Sequence, residues 1–183
     1  MKKAFRLGLI VGRFQTLHLG HQAMIDTADA LCEKVVVFIG SSQESGTAKN
    51  PFTYETRKKY LRKVCGRRIK IYPLPDIGVG NTPEWGEYLL KNVTERFGEA
   101  PDLLISGKEE RRLGWFDGVT GANVAELYIP KAIDISAERM RELLLLDDFG
   151  SWKEYCDPRL WDFFPEMRSA VLGSYKKTRT SSI

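Results

Sequence analysis

The two histidines of the chain lie three residues apart, at His18 and His21, with Gly20 between them. The segment that contains them begins at Gly12, directly after an apolar run that ends at Val11, and it precedes an amphipathic helical pattern. Such a strand-to-helix junction directs free backbone N–H groups and the positive end of a helix dipole toward one point. Imidazole N–H groups can donate to an oxyanion, and glycine lets a ligand approach the backbone closely. The segment from Gly12 to His21 therefore predicts a phosphate-binding site.

A second candidate anion site lies more than a hundred residues further along the chain. Ser136 is a favourable N-cap residue, and the helical pattern that follows it would leave its first backbone amides free. Arg141 comes a little over one helical turn later and can fold back toward the start of that helix. An ordinary capped helix with solvated arginines would show the same residues, so this segment alone leaves both interpretations open.

Composition narrows the classes of protein that the chain can belong to. Its 183 residues, 43% of them hydrophobic and 28% charged, suit one globular domain. The net charge of +4 fits a phosphorylated ligand without requiring nucleic acid. Three widely spaced cysteines predict neither a disulfide framework nor a metal site. The first apolar run is too short for a signal peptide or a membrane span, so we expect a cytoplasmic protein without membrane association.

Strand and helix patterns alternate along the first 135 residues and then give way to helices. The predicted strands are 4–11, 34–39, 68–74, 103–106 and 125–129, and the predicted helices are 19–31, 53–64, 83–97, 137–146, 151–155 and 159–172. This order predicts an α/β fold, namely a Rossmann-like doubly wound parallel five-stranded sheet with C-terminal helices.

The same pattern predicts how the chain is organised. We assign residues 1–135 to the Rossmann-like core, 136–175 to a C-terminal helical part of the same domain, and 176–183 to a frayed tail. Ligands of such sheets bind beyond the carboxyl ends of the strands, where the strand order reverses. The histidine segment follows the first strand and is expected at that edge.

Two other phosphate-binding motifs are absent from the sequence. No G-x-G-x-x-G follows the first strand, which argues against a nicotinamide-cofactor dehydrogenase. No G-x-x-x-x-G-K-[ST] occurs either, because Gly107-Lys108 is followed by Glu109. The basic run at residues 57–70 is typical of a solvated helix face, so no nucleic-acid partner is predicted.

The two motifs together resemble the signatures of the nucleotidylyltransferase superfamily. His18-Leu19-Gly20-His21 resembles its (H/T)-x-G-H signature, and Ile135–Arg141 resembles its I-S-x-x-x-x-R signature. Two further groups of residues are similar to the archaeal-type nicotinamide-mononucleotide adenylyltransferases. The first is Gly40–Ser45 followed by Asn50–Thr53 and Arg57, and the second is Asp76-Ile77 followed by Asn81 and Trp85. The resemblance extends from about Phe5 to about Arg168, which is nearly the whole chain.

The resemblance implies transfer of an adenylyl group from ATP to a nucleotide 5′-phosphate. The expected acceptor is nicotinamide mononucleotide, and the products would be NAD and pyrophosphate. An ionised acceptor phosphate needs no general base, so catalysis would come from alignment and charge neutralisation. Mg²⁺ is expected to accompany ATP with mostly water ligands, and no organic cofactor is expected.

The resemblance also implies roles for individual residues. The catalytic residues would be His18, His21 and Arg141. The ATP-binding residues would be Gly12, Arg13, Phe14, Gly20, Ser136 and Arg139. The acceptor-binding residues would be Ser41, Asn50, Thr53, Arg57, Asp76 and Trp85. The resemblance implies that Trp85 stacks on a flat base, although a tryptophan is more often a packing residue.

Three alternatives stay open. The first is the same chemistry with phosphopantetheine, flavin mononucleotide or, with CTP, a polyol phosphate as acceptor. The second is a non-catalytic nucleotide sensor, for which Gly46 and Glu138 are the relevant departures from the family pattern. The third, a fragment of an aminoacyl-tRNA synthetase, ranks last because the chain lacks room for a tRNA-binding domain. A homo-oligomer is compatible with the resemblance, while nicotinamide or nicotinate preference and the role of residues 107–124 are left open.

Overall fold

The computed structural model describes residues 2–107, 113–130 and 133–180, and its centre is one parallel β-sheet. The sheet contains five strands in the order β3-β2-β1-β4-β5, and every neighbouring pair is parallel. The strands are β1 (Phe5–Gly12), β2 (Cys32–Gly40), β3 (Lys70–Leu74), β4 (Leu103–Ser106) and β5 (Ala125–Tyr128). The predicted Rossmann-like α/β fold class is confirmed.

Six α-helices surround the sheet in the described part of the chain. They are α1 (Leu19–Leu31), α2 (Tyr54–Cys65), α3 (Pro83–Phe97), α4 (Ala137–Leu145), α5 (Phe149–Glu154) and α6 (Phe164–Thr180). Short 3₁₀ helices occupy Leu113–Trp115 and Pro158–Phe163. No helix among the described residues is both long and apolar enough to span a bilayer.

The last predicted helix differs from the observed one at both ends. Residues 158–163 form a 3₁₀ helix, and α6 starts only at Phe164. Pro165 explains the break, since it has no N–H to donate in a helix interior but is tolerated in a first turn. At the other end α6 continues to Thr180, beyond the boundary predicted at residue 175. Residues 181–183 lie outside the described part of the chain.

Alternate residues of the central strands enter two different cores. Val35, Val37 and Ile39 of β2 pack on the face that α1, α2 and the C-terminal helices cover. Val36 and Phe38 face the opposite side, where α3 packs. Because both faces are covered, the strands read as continuous apolar runs in the sequence. The connections place α1 and α2 on one face and α3 on the other, as right-handed crossovers require.

The strand order reverses at β1. The chain proceeds from β1 through β2 to β3 on one side and then returns to β4 and β5 on the other. The loops after β1 and β4 therefore flank the switch point at the carboxyl edge of the sheet. The C-terminal helices reach this edge too, because the Leu19 N–H at the start of α1 donates to the Tyr155 carbonyl at 2.9 Å.

A close approach between α3 and the 3₁₀ helix at Leu113–Trp115 yields a stability prediction. A Cβ atom at Gly86 would lie 1.5 Å from the Trp115 carbonyl oxygen, and this backbone atom cannot move aside as a side chain would. We expect Gly86→Ala to lower the free energy of unfolding by at least about 2 kcal/mol, as overpacking does. Urea unfolding followed by circular dichroism measures this change.

Gly173 provides the matched control, since it also lies within a helix but a Cβ atom there meets nothing within 4 Å. Gly173→Ala should leave stability unchanged or raise it by up to about 1 kcal/mol, because alanine reduces the entropy of the unfolded chain. Equal urea midpoints for the two variants would contradict the close approach.

Candidate active site

The two histidines lie together at the start of α1. Their ring centroids are 3.8 Å apart, and the ring of Phe14 lies 4.9 Å from that of His21. Nδ1 of His21 is buried and has no hydrogen-bond partner among the described residues. Burial, together with the neighbouring charge of His18, holds the pKa of His21 well below its ordinary value of 6.5. His21 is therefore neutral near pH 7 in the free protein, with one ring nitrogen able to donate.

Two glycines allow this arrangement of rings. A Cβ atom at Gly20 would lie 3.1 Å from Nδ1 and Cε1 of His18, so the imidazole occupies the space beside Gly20. A Cβ atom at Gly12 would similarly lie 3.1 Å from Cε2 of Phe14. Phe14 itself has a positive φ of 52°, which turns the loop sharply after β1. The peptide bond that follows Gln15 is cis.

The start of α1 keeps backbone donors available. The first intrahelical bond runs from the Gln22 N–H to the His18 carbonyl, and His18 makes no side-chain cap. The N–H groups of Gly20 and His21 precede that bond and thus have no partner within the helix. Together with the helix dipole, they form the type of site that binds a phosphate oxygen.

The second motif meets the first one directly. Nη1 of Arg141 donates to the carbonyl of Gln15, 126 residues away, and to the carbonyl of Ala137 at 3.0 Å. Arg141 thus folds back toward the start of α4, and its side chain is buried. Ile135, just before that helix, comes within 3.9 Å of the Cβ position of Gly20. The starts of α1 and α4 therefore lie side by side.

Ser136 and Arg139 have different surroundings at the start of α4. The Ser136 hydroxyl accepts from the Arg139 N–H at 3.1 Å, which caps the helix and leaves the hydroxyl proton available. The exposed Arg139 guanidinium instead pairs with Glu142 at 3.0 Å. A contact between Arg139 and ATP would require it to leave that pair, and this contact stays a prediction.

Arg13, Arg57 and Arg141 place three positive charges near the adjacent starts of α1 and α4. Burial and the nearby Arg13 lower the pKa of Arg57 to about 10. Burial first, and Arg13 to a lesser degree, also lower the pKa of Arg141. The guanidinium groups stay charged at neutral pH, but the charge of Arg13 repels those of Arg57 and Arg141. A bound polyanion would remove this repulsion.

Gln15, which the sequence analysis did not single out, connects the first motif to the next loop. Its amide nitrogen donates to the Phe52 carbonyl at 3.0 Å, and its amide oxygen accepts from the Phe52 N–H at 2.9 Å. The side chain is only 2% exposed. No periodicity marks this glutamine in the sequence, because its partner lies 37 residues away.

Five of the six predicted acceptor-binding residues lie on the loops after β2 and β3 and in the first turns of α2, and several of them hold those loops together. Ser41 donates to Asp76 at 2.5 Å, which joins the two loops. Asn50 bonds to Glu44 and accepts from Arg13 at 3.4 Å. Contact of these residues with an acceptor stays a prediction.

Thr53 and Arg57 have well-defined structural roles. Thr53 is the N-cap of α2 and accepts from the Thr56 N–H. Arg57 is 1% exposed, and four of its five N–H donors reach the carbonyls of Arg13, Gly40, Ser41 and Thr53. Since these carbonyls belong to the end of β2 and to the loops after β1 and β2, the buried Arg57 side chain fixes the positions of both loops.

Trp85 lies at the start of α3, close to the loop that carries Asp76. It is 8% exposed and packs against Tyr88 and Trp115, with ring centroids 5.4 Å and 6.3 Å away. The tryptophan therefore contributes to the core on the α3 face. Stacking of Trp85 on a ligand ring stays a prediction.

Metal binding by the protein alone finds no support in the described residues. No group of three or more His, Cys, Asp or Glu side chains in the ranges 2–107, 113–130 and 133–180 could hold a metal ion. A phosphate-bound cation would have to take its ligands mainly from the phosphates and water.

A solved structure shares this fold. A crystal structure of a bifunctional NMN adenylyltransferase/ADP ribose pyrophosphatase from Francisella tularensis, complexed with AMP and a manganese ion, superposes with a TM-score of 0.77 at 21% identity. The match covers 96% of this chain and 53% of that one, so the present chain spans about half its length.

Sequence comparison shows that the similarity includes the segment with the two histidines. The cytidylyltransferase-like family matches residues 9–107. A nicotinamide-nucleotide adenylyltransferase of Aeropyrum pernix is 32% identical over 165 residues, which cover 87% of this chain and 90% of that protein. The protein of the same name from Thermococcus onnurineus is 36% identical over 105 residues, which cover 55% of this chain and 52% of that protein. The chain therefore belongs to the archaeal-type nicotinamide-nucleotide adenylyltransferases within the cytidylyltransferase-like family.

Proposed function

We propose that this protein transfers the adenylyl group of ATP to nicotinamide mononucleotide and releases NAD and pyrophosphate. The acceptor 5′-phosphate attacks the α-phosphorus in line, a bond to this phosphorus forms, and the bond to the bridging oxygen of pyrophosphate breaks. The observation that carries the proposal is the contact of Arg141 with the Gln15 carbonyl, because it brings both phosphate motifs to one place.

The protein contributes positioning and positive charge to this reaction. The free N–H groups at the start of α1 and the ring of His21 face the α-phosphate, where negative charge accumulates in the transition state. The start of α4, with Ser136 and Arg141, holds the β- and γ-phosphates. Preorganised donors of this kind typically lower a barrier by ~3 kcal/mol each.

Mg²⁺ enters with ATP as part of the substrate. The positive cluster and the helix ends bind phosphate oxygens, which leaves other phosphate oxygens for the cation. The Francisella tularensis protein was crystallised with AMP and manganese, which supports a divalent cation beside the nucleotide in this fold. Mg²⁺ is the cation we expect, since it keeps several waters and binds through substrate phosphates.

A panel of acceptors tests the proposed reaction. The purified protein is incubated with MgATP and nicotinamide mononucleotide, phosphopantetheine or flavin mononucleotide, and with MgCTP and a polyol phosphate. Pyrophosphate release is measured by a coupled assay, and products are identified by chromatography. We expect NAD as the main product. Tight ATP binding without pyrophosphate release in any mixture would instead favour a nucleotide sensor.

Replacing His21 by alanine should lower turnover while the fold stays intact. The substitution removes one preorganised donor, which corresponds to a loss of about 10²- to 10³-fold in kcat. Steady-state pyrophosphate release measures the loss, and circular dichroism checks the fold. Thr27→Ala is the matched control on the same helix, because the Thr27 hydroxyl bonds only within α1, to the Ala23 carbonyl. A near-normal rate for His21→Ala would refute the role of this histidine.

The two arginines of α4 should differ in their contribution. Arg141 is buried and bonded to both motifs, whereas Arg139 is exposed and paired with Glu142. We expect Arg141→Lys to lower kcat/KM for ATP by about 10²-fold, since lysine cannot reproduce the forked geometry. Arg139→Ala should lower it by at most about tenfold, because an exposed ionic contact contributes little. Equal losses would show that Arg139 leaves Glu142 and binds ATP as tightly as Arg141.

ATP binding should be accompanied by proton uptake. The pKa of His21 is low in the free protein, and the negative phosphates of ATP would raise it. At any pH between the two values binding takes up protons, so ATP affinity rises as pH falls. Isothermal titration calorimetry in buffers of different ionisation enthalpy measures the uptake. In His21→Gln the uptake should shrink; an unchanged value would mean that other groups take up the protons.

A further inference from the structure

Trp115 occupies a part of the chain whose role the sequence left open. It follows β4, lies at the end of a 3₁₀ helix and is 7% exposed. Its indole Nε1 donates to Oδ1 of Asn81 at 3.1 Å. Asn81 lies in the loop between β3 and α3, four residues before Trp85. The two tryptophans contact each other edge to face, at 6.3 Å and 79°.

The indole fixes which way the Asn81 amide faces. An indole N–H can only donate, so the Asn81 group opposite it must be the carbonyl oxygen. The amide NH₂ of Asn81 consequently points away from Trp115. Asn81 is exposed, and its NH₂ group makes no hydrogen bond to another described residue. It presents two donors beside the start of α3, while the carbonyl oxygen is turned toward the indole.

Trp115 is itself held in place. Its carbonyl oxygen lies against Gly86 of α3, where no Cβ atom would fit. Its ring belongs to the core that Trp85 and Leu89 form with the sheet. A rotation of the Asn81 amide by 180° would set its NH₂ against the indole N–H and lose the hydrogen bond. The hydrogen bond from the Trp115 indole therefore favours one of the two amide orientations of Asn81.

We propose that Trp115 is a positioning residue for acceptor specificity, because it holds Asn81 with its amide donors facing the acceptor ring. This inference rests on the proposed function, since it requires a pyridine nucleotide beside Trp85. The two N–H donors of this NH₂ group suit a ring substituent that accepts hydrogen bonds. A carboxylate offers two acceptor oxygens and a carboxamide offers one, so this feature favours the nicotinate nucleotide relative to the nicotinamide nucleotide.

The test measures kcat/KM for nicotinate mononucleotide and nicotinamide mononucleotide in the wild-type protein and in Trp115→Phe. Phenylalanine keeps an aromatic ring against Trp85 but removes the N–H. The freed Asn81 amide can then rotate and accept from the carboxamide NH₂. The acid-to-amide ratio is kcat/KM for nicotinate mononucleotide divided by kcat/KM for nicotinamide mononucleotide. We expect this ratio to fall about fivefold, the effect of one neutral hydrogen bond, while KM for ATP stays unchanged.

Trp161→Phe is the matched control. The Trp161 indole also donates to an oxygen, the carbonyl of Cys156 at 3.3 Å, but it lies in the C-terminal 3₁₀ helix. This variant should leave the ratio as it is in the wild type. If Trp115→Phe lowers both acceptor activities equally or leaves the ratio unchanged, the positioning role is wrong.

A double-mutant cycle separates positioning from general packing. In an Asn81→Ala background, Trp115→Phe should have no further effect on the ratio; a fivefold effect that persists there would overturn the inference. If Trp115→Phe does not fold, Asn81→Asp replaces it as the test. Aspartate still accepts from the indole but has no NH₂ and repels a carboxylate, so the ratio should fall by more than about tenfold. An unchanged ratio in Asn81→Asp would equally overturn the inference.

The two proposals fail in different ways. A wild-type protein that releases no pyrophosphate with either mononucleotide would refute the proposed function and remove the basis of this inference with it. An active wild-type protein whose acid-to-amide ratio does not respond to Trp115→Phe or Asn81→Asp would refute only the role of Trp115.

Discussion

The hydrogen bond from the Arg141 guanidinium to the Gln15 carbonyl is the contact on which the site depends. It joins the loop after β1 to the start of α4 across 126 residues of sequence. The same glutamine pairs its side-chain amide with both backbone groups of Phe52, in the loop after β2. One residue thus connects three segments at the carboxyl edge of the sheet. Since both partners are buried, loss of either would leave polar groups unsatisfied, which typically costs about 1–3 kcal/mol for each group.

The electrostatic state of this edge explains why a triphosphate would bind there. The buried His21 stays neutral, whereas Arg13, Arg57 and Arg141 remain charged close to one another. Two helix N-termini add partial positive charge at the same place. The carboxylates of Glu44, Asp76 and Glu138 offset part of this charge, but burial and Arg13 still leave the pKa values of Arg57 and Arg141 below the ordinary arginine value. The fold maintains this arrangement through buried packing, and the anion that neutralises it gains binding free energy in return.

The region predicted to bind the acceptor is organised by contacts between loops rather than by a single helix or strand. Arg57 bonds the carbonyls of two loops from below, and Ser41 bonds Asp76 of the third. Next to these loops, Trp85 and Trp115 pack in the core on the α3 face of the sheet. Because most of these polar side chains are already engaged with the protein, their first effect is to fix the loop geometry. Rigid loops lower the entropy lost when a ligand binds, which is the contribution the proposed reaction requires from them.

The sequence by itself determined the fold class and predicted where an anion would bind. Apolar runs of five strands, with helical periodicity between them, left a doubly wound sheet as the arrangement that buries both faces. The glycine and two histidines at the first strand-to-helix junction are local features, so their spacing was readable directly. The predicted bounds of an element were wrong where two local structures were both compatible with the sequence. Residues 158–163 form a 3₁₀ helix rather than the first turns of the last α-helix, and the position of proline decided between the two.

Only the tertiary structure decided which long-range partners the polar residues take. Gln15 and Arg57 serve carbonyls that are distant in sequence, and no local pattern marks such pairings. The same holds for Trp115, whose indole selects one orientation of the Asn81 amide 34 residues away. Hydrogen-bond partners of this kind depend on how loops from separate strands meet at one edge. Periodicity along the chain indicates which face of a helix or strand is buried, but it contains no information on which loops come together at the edge of the sheet.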